Sequence, residues 1–474
     1  MPSTHLNILL FFAALSAVVV KAAFPSKIFG VNLGSWLLIE PWMLPQEWLD
    51  MGGEQCSDCS RCIASEFEFA KAFPNTVDDI FNDHWNSWFN QADVDDLVSV
   101  GINTVRVPLG YWIVEDLVDR SEEFYPRGGM KQLRRGLQQL QNAGIVAILD
   151  HHALPGVQDP QQQFTGRCTT DVQFYTPHNY HRALVWAAVM TTLSHLDPTF
   201  GSVTAIEAVN EPIMDANQTP GYGGYQKHFV EVIRAVELAL GISVPGFEDE
   251  FGRLPSSTNF TESIRAVANQ VDFDDEVISV IQEAVPMTLR IADQLGISAI
   301  LNFSRNPNAR RELLSTNFMD INWQHNNPSN PADAAIGPQV YDNHLYYSFG
   351  GVADANPQAY MESICNLDRV ERDAQLGNSP LFFGEWGLPT QFQATDSFLR
   401  QWADAQKLAY SKGKGWIFWN FKIEISNRAG DLARQWSYME GVRRGYLTRD
   451  PSRFNDPNVC DNFVNKFAYA ELEE

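Results

Sequence analysis

Eight short apolar runs recur along the chain, with helix-patterned stretches between them. The runs are residues 29–33, 104–108, 146–150, 205–210, 299–303, 340–344, 381–385 and 416–420. Several are apolar almost throughout, as strands covered on both faces are. Helical patterns at 93–100, 130–143, 180–196 and 396–412 precede the second, third, fourth and eighth runs. Eight such units predict an α/β fold, a (β/α)8 TIM barrel with enlarged loops, as one domain over residues 23–474. An open doubly wound sheet is the alternative. It would want a glycine-rich phosphate turn after the first strand, and the stretch from Gly30 to Trp36 does not supply one. Residues 44–83 and 241–275 read as insertions lying on loops.

Composition narrows the class of partner. Hydrophobic residues make up 45% of the chain and charged residues 19%, which rules out a disordered chain. The balance of 34 Lys+Arg against 58 Asp+Glu gives a net charge of −24, the wrong sign for a nucleic-acid partner. A soluble monomer acting on a neutral substrate is expected.

The apolar run at residues 8–20 is shorter than the ~20 residues a membrane span needs. Val20 and Ala22 stand at −3 and −1 of a signal-peptidase site, although no Lys or Arg precedes the run. A cleaved signal peptide over residues 1–22 is therefore expected, and with it a secreted, extracellular or cell-wall protein. The last ten residues are polar, unlike a lipid-anchor signal, so no membrane anchor is expected. Asn217, Asn259 and Asn302 head N-glycosylation sequons. The six cysteines are Cys56, Cys59, Cys62, Cys168, Cys365 and Cys460. The first three could belong to a zinc or iron–sulfur site, but no neighbouring His completes a set. An oxidising compartment favours disulfides, whose pairing stays open.

In a parallel barrel, reactive side chains stand where strands end at the carboxyl face. The fourth run leads to Asn210-Glu211-Pro212 and the seventh ends at Glu385. Two carboxyls on opposite sides of one barrel mouth can flank a scissile glycosidic bond. One must be protonated to serve the leaving oxygen, and the other ionised to attack the anomeric carbon. Arg106, near the end of the second run, can hold one carboxylate ionised. Glu207 lies four residues before Glu211 and is expected to be a buried structural partner, with Arg106 as the candidate, rather than a catalytic group. Trp36, Trp42, Trp112 and Trp386 flank the cleft by position, about half of them expected to touch sugar. No His-Glu-x-x-His or comparable motif appears, so neither metal nor cofactor is expected. Gly-x-Ser-x-Gly is also absent, which argues against a serine-hydrolase elbow.

The stretches GVNLGSWLLIEPWM, INTVRVPLGYW, ILDHHALPGVQ, IEAVNEP, VYDNHLYYSF, FFGEWG and GWIFWNFK occur in this order along the chain. With them the sequence resembles glycoside hydrolase family 5, and within it the fungal exo-β-1,3-glucanases. The resemblance implies a retaining double displacement with Glu211 as acid/base and Glu385 as nucleophile. It implies that Asn210 bonds a sugar 2-hydroxyl, that Arg106 supports the nucleophile and that His152 faces the sugar. His344 and Tyr346 would contact the two acids, Trp419 would floor the site, and Glu40 would bond the non-reducing sugar. His151 should point away from His152, because side chains alternate along a strand.

The sequence departs from that pattern in Gly387-Leu388-Pro389-Thr390, in the loop from Gln158 to Gln163, and in the stretch 241–275. These loops shape the outer subsites. The expected activity is a secreted exo-β-1,3-glucanase acting on β-glucan. An endo-β-1,6-glucanase with the same chemistry is the alternative, and a non-catalytic glucan-binding wall protein is a further one.

Overall fold

Strand pairing closes on itself in the computed structural model, which describes residues 24–255, 259–303, 312–323 and 330–464. The strands are β1 (Ile28–Asn32), β2 (Thr104–Gly110), β3 (Val146–Ala153), β4 (Val203–Glu207), β5 (Ser315–Met319), β6 (Gln339–His344), β7 (Leu381–Glu385) and β8 (Gly415–Phe418). They form a closed barrel in sequence order, with β8 returning to β1 and every pair parallel. This is the (β/α)8 barrel expected from the pattern of runs. The signal peptide expected over residues 1–22 lies outside the described residues, as do the last ten residues.

Alternation along the strands sorts side chains into two sets. One set, including Val31, Val105, Val107, Leu149 and Ile206, is buried against the outer helices in one continuous core. The other points into the lumen. Ile28, Ile148, Ala205, Val340, Phe382 and Ile417 fill its floor. Two residues further along their strands stand Asp150, Glu207 and Asp342, with Arg106 between them, so the lumen turns from apolar to charged within one layer. Gly384 is part of that change: a Cβ there would overlap the Asp342 carboxylate. The absent side chain lets Asp342 approach and accept the Gly384 N–H at 2.6 Å.

The helices expected from the sequence form at Gln91–Ser99, Gly129–Asn142, Pro177–Leu196 and Asp396–Tyr410. The expected fifth strand at 299–303 is instead a short 3-10 turn, Ser298–Leu301, and the strand is Ser315–Met319. Its sequence, STNFM, carries polar residues because Asn317 belongs to the polar layer of the lumen, where an apolar-run criterion fails. β4 stops at Glu207 and β8 at Phe418, each short of the expected end, so Asn210 and Trp419 stand on the loops that follow.

The two stretches read as loops are largely helical. The first contains Pro45–Met51 and Glu66–Ala72 and enters the helix Val77–Trp88. The second contains Glu248–Arg253 and Phe260–Gln270. In the latter, Phe260, Ile264 and Val267 are buried along one face, and Asn259 caps the start by accepting the Glu262 N–H at 2.9 Å.

All six cysteines are paired, as Cys56–Cys62, Cys59–Cys168 and Cys365–Cys460. The second ties the segment between β1 and β2 to the loop after β3, and the third ties the C-terminal segment to the helix Pro357–Cys365. Among the described residues, no helix is long and apolar enough to cross a membrane.

Candidate active site

The polar layer is organised by one guanidinium. Arg106 is fully buried, and its Nε donates to Glu207 Oε2 at 2.8 Å. Nη1 donates to Glu385 Oε1 at 2.9 Å and Asn32 Oδ1 at 3.1 Å, and Nη2 donates to Asn210 Oδ1 at 2.7 Å. Asp150 at 3.0 Å and Asp342 at 3.6 Å complete its surroundings. Burial alone would lower the pKa of Arg106. Asp150, Glu207, Glu385 and Asp342 outweigh it, so the guanidinium stays charged.

One cation cannot neutralise so many acids in a low-dielectric interior. Burial accordingly pushes Glu207 up to about 8 and Asp150 up to about 7, with Arg106 opposing the rise in both. Glu207 is the buried partner of Arg106 expected from the sequence, with no exposure to the cleft.

Glu385 closes β7. Its Oε1 accepts from Arg106 and its Oε2 from the Tyr346 hydroxyl at 2.9 Å. Burial raises its pKa, and His344 and Arg106 offset only part of the rise. Glu211 stands past the end of β4, with a backbone φ of +40°, a left-handed conformation unusual for a side-chain-bearing residue. His344 Nδ1 lies 2.7 Å from Glu211 Oε1 and 3.6 Å from Glu385 Oε2. Oxygens of the two glutamates approach within 4.8 Å of one another. Burial disfavours a charged His344, but Glu385, Asp342 and Glu211 outweigh it and hold the imidazole well above its usual pKa.

Among the described residues, two donor groups are compact enough to share a cation: Glu211 with His344 and Glu385, and Glu207 with Asp342 and His344. Both depend on His344, whose imidazole would have to give up its proton to ligate a metal.

The remaining expected residues converge on the same cleft, an opening of about 680 Å³. Burial and Arg106 push His152 down to about 3, so its ring is neutral. Its Nδ1 lies 2.6 Å from Asp150 Oδ2, which assigns the proton to Nδ1 and leaves Nε2 as an acceptor. Among the described residues, His152 Nε2 and Glu40 Oε1 have no hydrogen-bond partner, and both residues line the cleft. Burial pushes Glu40 up to about 8 against the hydrogen bond it accepts from Trp42 Nε1 at 2.9 Å. Asn210 and Trp419 also line the cleft, and the Trp419 ring lies nearly parallel to His152, 5.6 Å away at 9°. His151 points the other way and stacks on Trp186 at 4.0 Å.

Of the four tryptophans placed near the cleft by position, Trp42 lines it, while Trp36, Trp112 and Trp386 are buried in the outer core. Sequence reading missed Phe164, Trp323, Phe349 and Trp436 as cleft walls. Phe164 and Trp323 stand in 3-10 turns, Trp436 ends a four-residue helix and Phe349 stands on a loop, all elements too short for periodicity to mark. It also missed Asp150 and Asp342, although a signal existed: Asp150-x-His152 and Asp342-x-His344 share a two-residue spacing that puts acid and imidazole on the same lumen face.

Comparison with known proteins agrees with this geometry. The family model for cellulase (glycosyl hydrolase family 5) matches residues 68–424. A glucan endo-1,6-beta-glucosidase B from Emericella nidulans is 30% identical over 446 residues, covering 92% of this chain and 88% of the relative. A glucan 1,3-beta-glucosidase from Blumeria graminis is 31% identical over 192 residues, covering 39% of this chain and 41% of the relative. Among solved structures, rutinosidase from Aspergillus niger shares the fold, with a TM-score of 0.57 at 18% identity over 89% of this chain and 97% of that one. The chain belongs to glycosyl hydrolase family 5 and is an O-glycosyl hydrolase.

Proposed function

We propose that the protein is a secreted endo-β-1,6-glucanase that cleaves with retention of configuration, using Glu385 as nucleophile and Glu211 as acid/base. The observation that carries this reading is the approach of the two carboxyls to within 4.8 Å across one open cleft. Retaining glycosidases place their carboxyl groups about 5–5.5 Å apart, whereas inverting enzymes leave a wider gap for water.

The two acids meet different donors. Glu385 accepts from a permanent cation and from a phenol, and both bonds favour its ionised form. Among the described residues, Glu211 has one hydrogen-bond contact, with His344, and it faces the cleft. Glu385 attacks the anomeric carbon while Glu211 gives its proton to the leaving oxygen. In the second step Glu211 takes a proton from water, which releases the sugar from Glu385. Trp419 offers a flat apolar floor to the sugar ring, and Glu40, His152 and Asn210 offer polar atoms to its hydroxyls.

The linkage expectation changes with the comparisons. The β-1,3-glucosidase relative matches less than half of the chain, whereas the endo-1,6 relative matches nearly all of it. Endo-β-1,6 action therefore replaces exo-β-1,3 action as the preferred reading. Secretion is supported by three disulfides, which persist in oxidising compartments.

Product analysis on linear β-1,6- and β-1,3-glucans tests the assignment. A ladder of oligosaccharides from the β-1,6 polymer is expected, with the β-anomer formed first by proton NMR. Glu385→Gln should lower turnover by about a thousandfold or more with the fold intact. Glucose alone from the β-1,3 polymer would restore the exo reading, and near-normal turnover of Glu385→Gln would refute the nucleophile.

A further inference from the structure

The β3–β4 ladder runs only as far as Asp150 opposite Glu207. Beyond it β3 and the loop that follows β4 run on toward the cleft, carrying His152 and Asn210, and one backbone bond still joins them, from Asn210 N–H to the His151 carbonyl at 3.1 Å. A side chain supplies the next link. Gln158, wholly buried, donates from Nε2 to the carbonyl of His152 at 2.7 Å and to the carbonyl of Asn210 at 3.1 Å. Its Oε1 accepts the Leu154 N–H at 3.2 Å, which fixes which end of the amide faces the two carbonyls.

Tyr175 completes the hold. Its hydroxyl donates to the Gln158 carbonyl at 2.8 Å and accepts the Ile213 N–H at 2.8 Å. The chain is thus gripped immediately before Glu211, at Asn210, and two residues after it, at Ile213.

The grip falls where the backbone is least at ease. Glu211 has a φ of +40°, and Val157, which delivers Gln158, has a φ of +67° despite its β-branched side chain. Such conformations persist only where the surroundings over-determine them. Neither Gln158 nor Tyr175 lines the cleft, so neither is arranged to touch substrate.

We propose that Gln158 and Tyr175 are positioning residues, which hold the backbone of Glu211 in its left-handed conformation and so aim its carboxyl at the leaving oxygen. The inference rests on Glu211 being the acid/base. It predicts a defect in the first displacement that depends on whether the leaving group needs a proton.

Tyr175→Phe removes the hydroxyl and keeps the ring contacts with Phe174, Tyr180 and Tyr222. Gln158→Met keeps length and removes both donor bonds. Steady-state kinetics on phenyl and dinitrophenyl β-gentiobioside separate positioning from general loosening, because the dinitrophenolate leaves without a proton. Each variant should lose about tenfold or more in kcat/KM on the phenyl substrate, since kcat/KM reports the first displacement, in which Glu211 donates its proton. The same variant should lose no more than about twofold in kcat/KM on the dinitrophenyl substrate. Equal losses on both substrates, or none on the phenyl one, would overturn the proposal.

Glu211→Ala is the reference. If it shows the selective loss and the two variants do not, the positioning inference alone falls. If Glu211→Ala shows no selectivity, the acid/base assignment falls and the inference with it. Thermal unfolding checks each fold. If one variant does not fold, the other is judged by the same ratio, and failure of both to fold would make the residues structural and overturn the proposal.

Discussion

Removing the Tyr346 hydroxyl probes the nucleophile without touching the guanidinium beneath it. In Tyr346→Phe, Glu385 Oε2 loses a donor now at 2.9 Å, while Oε1 keeps Arg106 at 2.9 Å. A hydrogen bond to a charged group contributes about 1.5–3 kcal/mol. In a buried site the upper part of that range applies, but the remaining Arg106 contact and His344 at 3.6 Å still favour the ionised carboxylate. The expected loss of transition-state stabilisation is therefore about 2 kcal/mol, or roughly thirtyfold in kcat/KM. The sign of the pH effect follows from the same bond. A donor to the carboxylate favours ionisation, so its removal moves the acidic limb of the kcat/KM profile to higher pH. The assay is the pH dependence of kcat/KM on linear β-1,6-glucan for wild type and variant, with thermal unfolding as a control. An acidic limb that stays in place, or moves to lower pH, would refute the view that Tyr346 holds Glu385 ionised.

Acid stability offers a second test, remote from the cleft. Glu237 is buried; Arg234, His195 and the Leu314 N–H outweigh the effect of burial and pull its pKa down to about 2. A depressed carboxyl stabilises the fold above its unfolded pKa, and that stability is lost as pH falls through the folded value. Glu237→Gln should thus cost about 3 kcal/mol at neutral pH and flatten the fall in stability between about pH 5 and pH 2. Denaturant unfolding across that range measures it, and an unchanged pH slope would count against the ion pair. The Cys365–Cys460 bridge closes a loop with a sequence separation of 95. Replacing both cysteines by alanine should lower stability by about 4 kcal/mol. An unchanged denaturation midpoint would show that the C-terminal segment is held by its other contacts.

The fold was legible where burial imposes a simple pattern. β7 matches its apolar run residue for residue, and the helix Asp396–Tyr410 follows its apolar face. β5 was not legible, because Ser315, Thr316 and Asn317 face demands that an apolar run does not express. The helices near Glu66 and Phe260 were hidden by neighbouring Gly, Pro and Cys, which read as loop although buried aromatic residues anchor both helices. The expected site residues gather around one cleft and the guanidinium beneath it, since most lie at or just past a strand end, where a barrel collects side chains from distant parts of the chain.

Local order along the chain was enough to define the barrel, the mouth at which Glu211 and Glu385 meet, and the inward and outward faces of His152 and His151. Those properties depend on period and alternation, which neighbouring residues specify among themselves. Tertiary structure alone decided the cysteine partners, the sharing of Arg106 among several acids, the protonation of His344 and the bridge from Gln158 to Asn210. Each of these depends on distances between segments far apart in the chain, and on a field and a dielectric that exist only once the barrel has closed.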